Sequence, residues 1–154
     1  RWYYGHVDET QLSWLEEDLA AVSAETPVVT FNHIPLFSAL VTSMGYDPEE
    51  GDTPGSVIVV DGKPQYRHVV SNFADVLKKL EEKKYPLALA GHLHGREELV
   101  VGDPKIPTRF NQTGAVVGPA GSAYGLNLIS GVMLYRVKDR IIDGGEFIAI
   151  DNPN

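Results

Sequence analysis

The chain has 154 residues, 43% of them hydrophobic and 22% charged, with a formal net charge of −8 and no cysteine. That length supports one domain with a real core. The negative charge argues against sequence-independent binding to nucleic-acid phosphates or anionic lipid, and the missing cysteines exclude disulfides, thiolate zinc sites and cysteine nucleophiles. No apolar run approaches the ~20 residues of a membrane-spanning helix. The opening "RWYYGHVDE" has no apolar middle and no cleavage site, so it does not read as a signal peptide. Beginning at Arg1, the chain is expected to be a processed, excised or truncated product, which leaves its compartment unknown.

The first element is a helix. Asp8 is the expected N-cap, and Gln11 completes a capping-box pattern. Leu12, Leu15, Leu19 and Val22 then share one face, with Glu16, Glu17 and Asp18 turned outward, and Pro27 is expected to stop it. "PVVTFNHIP" reads as a short buried strand ending near Asn32. Residues 38–56 are loop-like, with two prolines and an acidic cluster at Asp47, Glu49, Glu50 and Asp52. That cluster does not match the EF-hand spacing and reads as a solvated loop. "VIVVDGKPQYRHVV" predicts a hairpin turning at Asp61-Gly62.

A second helix is expected from Ser71 or Asn72, with Phe73, Val76, Leu77 and Leu80 on one face, ending before Pro86. "PLALAG" predicts another buried strand. "ELVVG", "TRFNQTGAVVG", "GVMLYRVKD" and "RIIDGGEFIAID" are short strand candidates, and "GPAGSAYGLN" is a Gly-rich loop without the Lys and Ser/Thr of a P-loop. The order predicts a mixed α/β arrangement with an antiparallel tail.

Chemistry concentrates in "LAGHLHGREE". If the preceding strand runs on through residue 94, the period of two puts His92 and His94 on one face and turns Leu93 to the core. His33 closes another predicted strand. Ligands in α/β sheets collect at the carboxyl ends of strands, so His33, His92 and His94 are the candidate metal ligands. His6 and His68 have no partner at ligand spacing and read as structural or solvent-facing.

"FNHIPL" followed by "LAGHLHG" resembles the last two metal motifs of the calcineurin-like metallophosphoesterases, which include purple acid phosphatases. The helix "DETQLSWLEEDLA" is similar to the one that precedes the first of these motifs in many members. The resemblance runs from about residue 8 to residue 95. It implies an αββα four-layer fold of α+β sandwich type, with residues 1–154 a single partial domain corresponding to its C-terminal half. It assigns His33 and His92 to one metal and His94 to a second. The metals would be Mn, Fe or Zn, and the reaction hydrolysis of a phosphate mono- or diester by a hydroxide that the metal pair activates.

The family's earlier motifs are absent. Asp-x-His, Gly-Asp-x-x-Asp and Gly-Asn-His-Asp/Glu would supply the bridging Asp, the Asn ligand and the catalytic His. No residue of this sequence is therefore assigned as catalytic, and the N-terminal half of the same protein is the expected partner. Three imidazoles shared by two metals are too few, so the fragment alone is expected to bind metal weakly and hydrolyse little. The rival readings are a catalytically inactive binding domain of the same fold and a mononuclear module using the three histidines alone.

The long connection between residues 38 and 70 suggests that Tyr46, Tyr66 or Arg67 borders a substrate cleft. Asn111, Gln112 and Thr113 are candidate phosphate contacts or strand-end residues. Trp2, Tyr3 and Tyr4 are expected to pack against the missing half, and the half-domain to expose a sheet face and edge.

Overall fold

The structure is a computed structural model, and it describes residues 3–39, 57–116, 121–123 and 126–150. The acidic cluster, Tyr46 and Trp2 lie outside the described residues.

Helix α1 spans Glu9–Ala20, and its start is the one expected. The Asp8 carboxylate accepts the Gln11 backbone N–H at 2.8 Å, and the Gln11 side-chain oxygen accepts the Asp8 N–H at 3.0 Å. Pro27 is not what ends it. The N–H groups of Ala21 and Val22 donate to Asp18 and Leu19, tightening the last turn into three-residue steps. The Ser23 hydroxyl then accepts the Glu25 N–H, a local bond that competes with helix.

The central sheet is built from β1 (Val29–Asn32), β4 (Leu87–Ala90), β6 (Thr108–Gln112) and β5 (Glu97–Val101), in the spatial order β1-β4-β6-β5. The first three are parallel and β5 is antiparallel to β6. Thr30, Ala88 and Phe110 lie in register across it. Ala88 and Phe110 enter a core with Leu12 and Leu19 of α1 and Val76 and Leu80 of helix α2 (Phe73–Leu80). Both helices thus cover one face of the sheet.

On the other face, Arg109 donates to the carbonyl of Asp143 at 2.6 Å and Asn111 to the Tyr135 hydroxyl at 2.5 Å. These bonds fasten the β-rich end, where β9 (Gly131–Leu134) pairs with β12 (Glu146–Ala149) and β10 (Val137–Lys138) with β11 (Ile141–Ile142). The expected burial of β1 does not hold: Val29, Thr30 and Asn32 are only partly buried, and Phe31 on its outer face is 78% exposed. Within "GPAGSAYGLN", Gly121–Ala123 (β7) and Leu126–Leu128 (β8) pair antiparallel rather than forming a plain loop.

The hairpin is as read: β2 (Val57–Val60) pairs with β3 (Lys63–Tyr66). Asp61 and Gly62 both take positive φ, 50° and 75°, the tight-turn geometry whose twist matches the flanking strands. After it, the chain crosses the amino-terminal segment. Gly5 bridges Val70, and the Ser71 N–H donates to the Gly5 carbonyl at 2.8 Å. The Asn72 side chain exchanges hydrogen bonds with the backbone of Val7. These contacts set residues 3–7 beside residues 67–72.

Tyr85 carries a testable consequence of this packing. Its hydroxyl is hydrogen-bonded to the Thr30 hydroxyl at 2.5 Å, and its ring meets Phe110 edge-on. Burial pushes its pKa up from 10.0 to about 12, with the Thr30 bond opposing. The unfolded chain ionises first on going alkaline, so it binds fewer protons and is favoured as pH rises. The contribution is complete below pH 10 and is lost as pH climbs through 12. Urea unfolding across this window should show stability falling by about 2 kcal/mol, and Tyr85→Phe should remove most of that fall. An unchanged alkaline limb in the variant would assign it to other groups.

Candidate functional site

Strands β1 and β4 are parallel neighbours with Asn32 opposite Ala90. Their carboxyl ends therefore coincide, and the histidines that follow leave the sheet together. The Gly91 N–H donates to the His33 carbonyl at 3.2 Å, tying the two exits. The His92 ring lies between two others. Its Nδ1 is 3.2 Å from His33 Nε2, and its Nε2 is 2.9 Å from His68 Nδ1. The Tyr3 hydroxyl stands 3.4 Å from both His68 Nδ1 and His92 Nε2, with its ring edge-on to each imidazole. The Arg67 guanidinium lies 5.0 Å from the centre of the Tyr3 ring.

One expectation is corrected here. Strand β4 ends at Ala90 and does not carry His92 and His94 on one extended face. Both take left-handed backbone, φ 75° and 57°, a conformation that costs a non-glycine residue on the order of 1 kcal/mol or more. Leu93 between them is buried as expected and anchors the turn. His94 is consequently exposed, while His92 is partly buried.

His68 is not solvent-facing. It is 5% exposed and pairs with His92. No spacing rule links residue 68 to residue 92; the crossing at Gly5 and Val70 does. Tyr3 was likewise unreadable as a site residue, because its partners are remote in sequence. His6 stays peripheral, exposed and in ring contact with Tyr4.

Of the other candidates, Arg67 is 8% exposed and close enough to His92 to act on its charge. Tyr66 is exposed at the end of β3. Asn111 and Gln112 are 2% exposed, and their amide nitrogens bond within the fold. Asn111 serves Tyr135, and the Gln112 amide donates to Ser38 and Glu97 at 2.8 and 2.6 Å. Ser38 Oγ donates to the same Glu97 carboxylate at 2.8 Å, so this cluster ties the segment after His33 to the sheet.

His92 is held neutral. Burial, then the neighbouring His68, His33, His94 and Arg67, all disfavour its charged form and lower its pKa from 6.5 to about 4. A neutral imidazole offers a lone pair, which metal binding requires. Two imidazole nitrogens on one metal at about 2.1 Å stand about 3.0–3.4 Å apart in octahedral or tetrahedral geometry. The 3.2 Å between His33 Nε2 and His92 Nδ1 fits that range. Yet among the described residues no group of three or more His, Asp or Glu side chains is arranged to hold a metal ion. The donor pair fits part of a coordination shell, and no carboxylate completes it there.

The fold and site define a mixed α/β protein with a histidine cluster at the carboxyl ends of two parallel strands. No protein-family model matches the chain, and no curated protein matches it.

Proposed function

We propose that this chain carries the histidine side of a two-metal phosphoesterase centre. The observation that supports this most directly is the convergence of His33 Nε2 and His92 Nδ1 at 3.2 Å where β1 and β4 end. In this reading His33 and His92 serve one metal and exposed His94 the other. The metals (Mn, Fe or Zn) would polarise the phosphoryl group and lower the pKa of an attacking water. The carboxylate and Asn ligands, with the catalytic His, would come from the N-terminal half of the same protein, following the resemblance of "FNHIPL" and "LAGHLHG" to the metallophosphoesterases. In this reading Arg67, packed on the Tyr3 ring beside the histidines, would offset phosphate charge. Tyr66 borders the approach, and Tyr46 belongs to the same reading.

The rival is a metallophosphoesterase-like domain that has lost its chemistry and works by binding. It predicts that the upstream region carries no acidic metal motifs. The deciding experiment extends the reading frame upstream by about 150–200 residues, a typical domain's length, and measures metal content and hydrolysis of an aryl phosphate monoester and diester. Two metals per chain with hydrolysis are expected. No bound metal and no hydrolysis with added Mn, Fe or Zn would leave the binding domain.

A further inference from the structure

We propose that His68 is a positioning residue that fixes the tautomer and ring orientation of His92. It presents Nδ1 of His92 toward His33 as a lone pair. The proposal rests on the reading that His33 and His92 share a metal, and it assigns a role to a buried histidine outside the metal motifs.

A neutral imidazole has one N–H donor and one acceptor nitrogen. His92 has an imidazole nitrogen within hydrogen-bond distance of each of its own: His68 Nδ1 at 2.9 Å and His33 Nε2 at 3.2 Å. It must therefore donate on one side and accept on the other. If His92 Nδ1 is to offer a lone pair beside His33, the proton sits on Nε2 and is donated to His68 Nδ1. His68 then carries its own proton on Nε2. A histidine that ligates a metal characteristically gives its other N–H to an outer acceptor, which fixes the ring and raises its basicity. Here the acceptor is another histidine.

His68 is built to hold still. Its neighbours Arg67 and Val69 are buried with it, and Val70 is clamped to both Gly5 and the Pro35 carbonyl. Tyr3 closes the same corner, its hydroxyl equidistant from the two rings. Residue 68 therefore reaches His92 from a rigid crossing, independent of the turn that carries His92.

The test uses the 154-residue chain. Long-range proton–nitrogen NMR of its histidine rings, recorded without metal, should find the His92 proton on Nε2. His68→Leu should disperse that tautomer preference. His68→Asn, whose Oδ1 can accept as Nδ1 does, should restore it. Titration with Zn²⁺ should show affinity about 10–100-fold weaker in His68→Leu and recovered in His68→Asn, with circular dichroism confirming that both fold. A His92 proton on Nδ1, or a tautomer and Zn²⁺ affinity indifferent to residue 68, would overturn the proposal. The NMR arm needs no metal, so an Nε2 tautomer that depends on residue 68 would leave the His68–His92 relation standing even where this chain binds no Zn²⁺, and the metal reading is tested separately in the upstream-extended protein.

Discussion

His92→Ala in the upstream-extended protein should lower phosphoester hydrolysis by on the order of 10²-fold or more. His92 is the centre of the cluster, with one nitrogen facing His33 and the other facing His68. Alanine removes the donor and leaves both neighbours without their shared partner. A metal supplies several kcal/mol of charge stabilisation in such a reaction, and about 1.4 kcal/mol is tenfold in rate. Losing one of its ligands should forfeit much of that. Metal content, read by elemental analysis, should fall with the rate. His6→Ala is the control, since His6 is exposed and lies apart from the cluster. Equal rates and equal metal content in the two variants would remove His92 from the site.

Leu80→Ala should destabilise the fold by about 3–4 kcal/mol. Leu80 closes helix α2 and is 1% exposed, within the cluster that holds Leu12, Leu19, Val76, Ala88 and Phe110 together. It sits where two helices and the sheet meet, so no single element can move to fill the space it leaves. The cost combines lost transfer energy with a cavity that persists. Against a total stability of about 5–15 kcal/mol, that is a large share. Trp14 provides the contrast: it is larger, but it is 63% exposed on the outer side of α1. Trp14→Ala should shift stability by only about 0.5 kcal/mol. Urea denaturation midpoints decide the matter, and similar shifts for both residues would mean that the core is not centred on Leu80.

The elements that were legible are those whose signals are local. Asp8 and Gln11 are three residues apart and cap each other. Asp61-Gly62 turns a hairpin because both positions accept positive φ. The Leu and Val spacing of α2 placed Val76 and Leu80 in the core, and both are buried. The strand end at Asn32 was legible too, and so was the placing of His33 and His92 after two strands of the sheet.

The misreadings share a cause. Extending β4 through His94 assumed that a period of two persists past a glycine. Instead, Gly91 begins a turn in which Leu93 is drawn to the core and both histidines are forced to positive φ. Asn111 and Gln112 read either as phosphate contacts or as strand-end residues, and they close strand β6. Their amide nitrogens donate to Tyr135, Ser38 and Glu97, groups that only folding brings near.

The sequence by itself determined the elements, the helix cap, the hairpin turn and the pair of strands that end in histidine, because each depends on residues a few positions apart. The tertiary structure alone decided which histidines meet. His68 reaches His92 across 24 positions, and Tyr3 reaches it across 89. Both distances close because the segment after the hairpin docks on Gly5 while parallel pairing lays β4 beside β1. Periodicity records which way a side chain faces within its own element. Which side chain it finds there is set by how the elements cross.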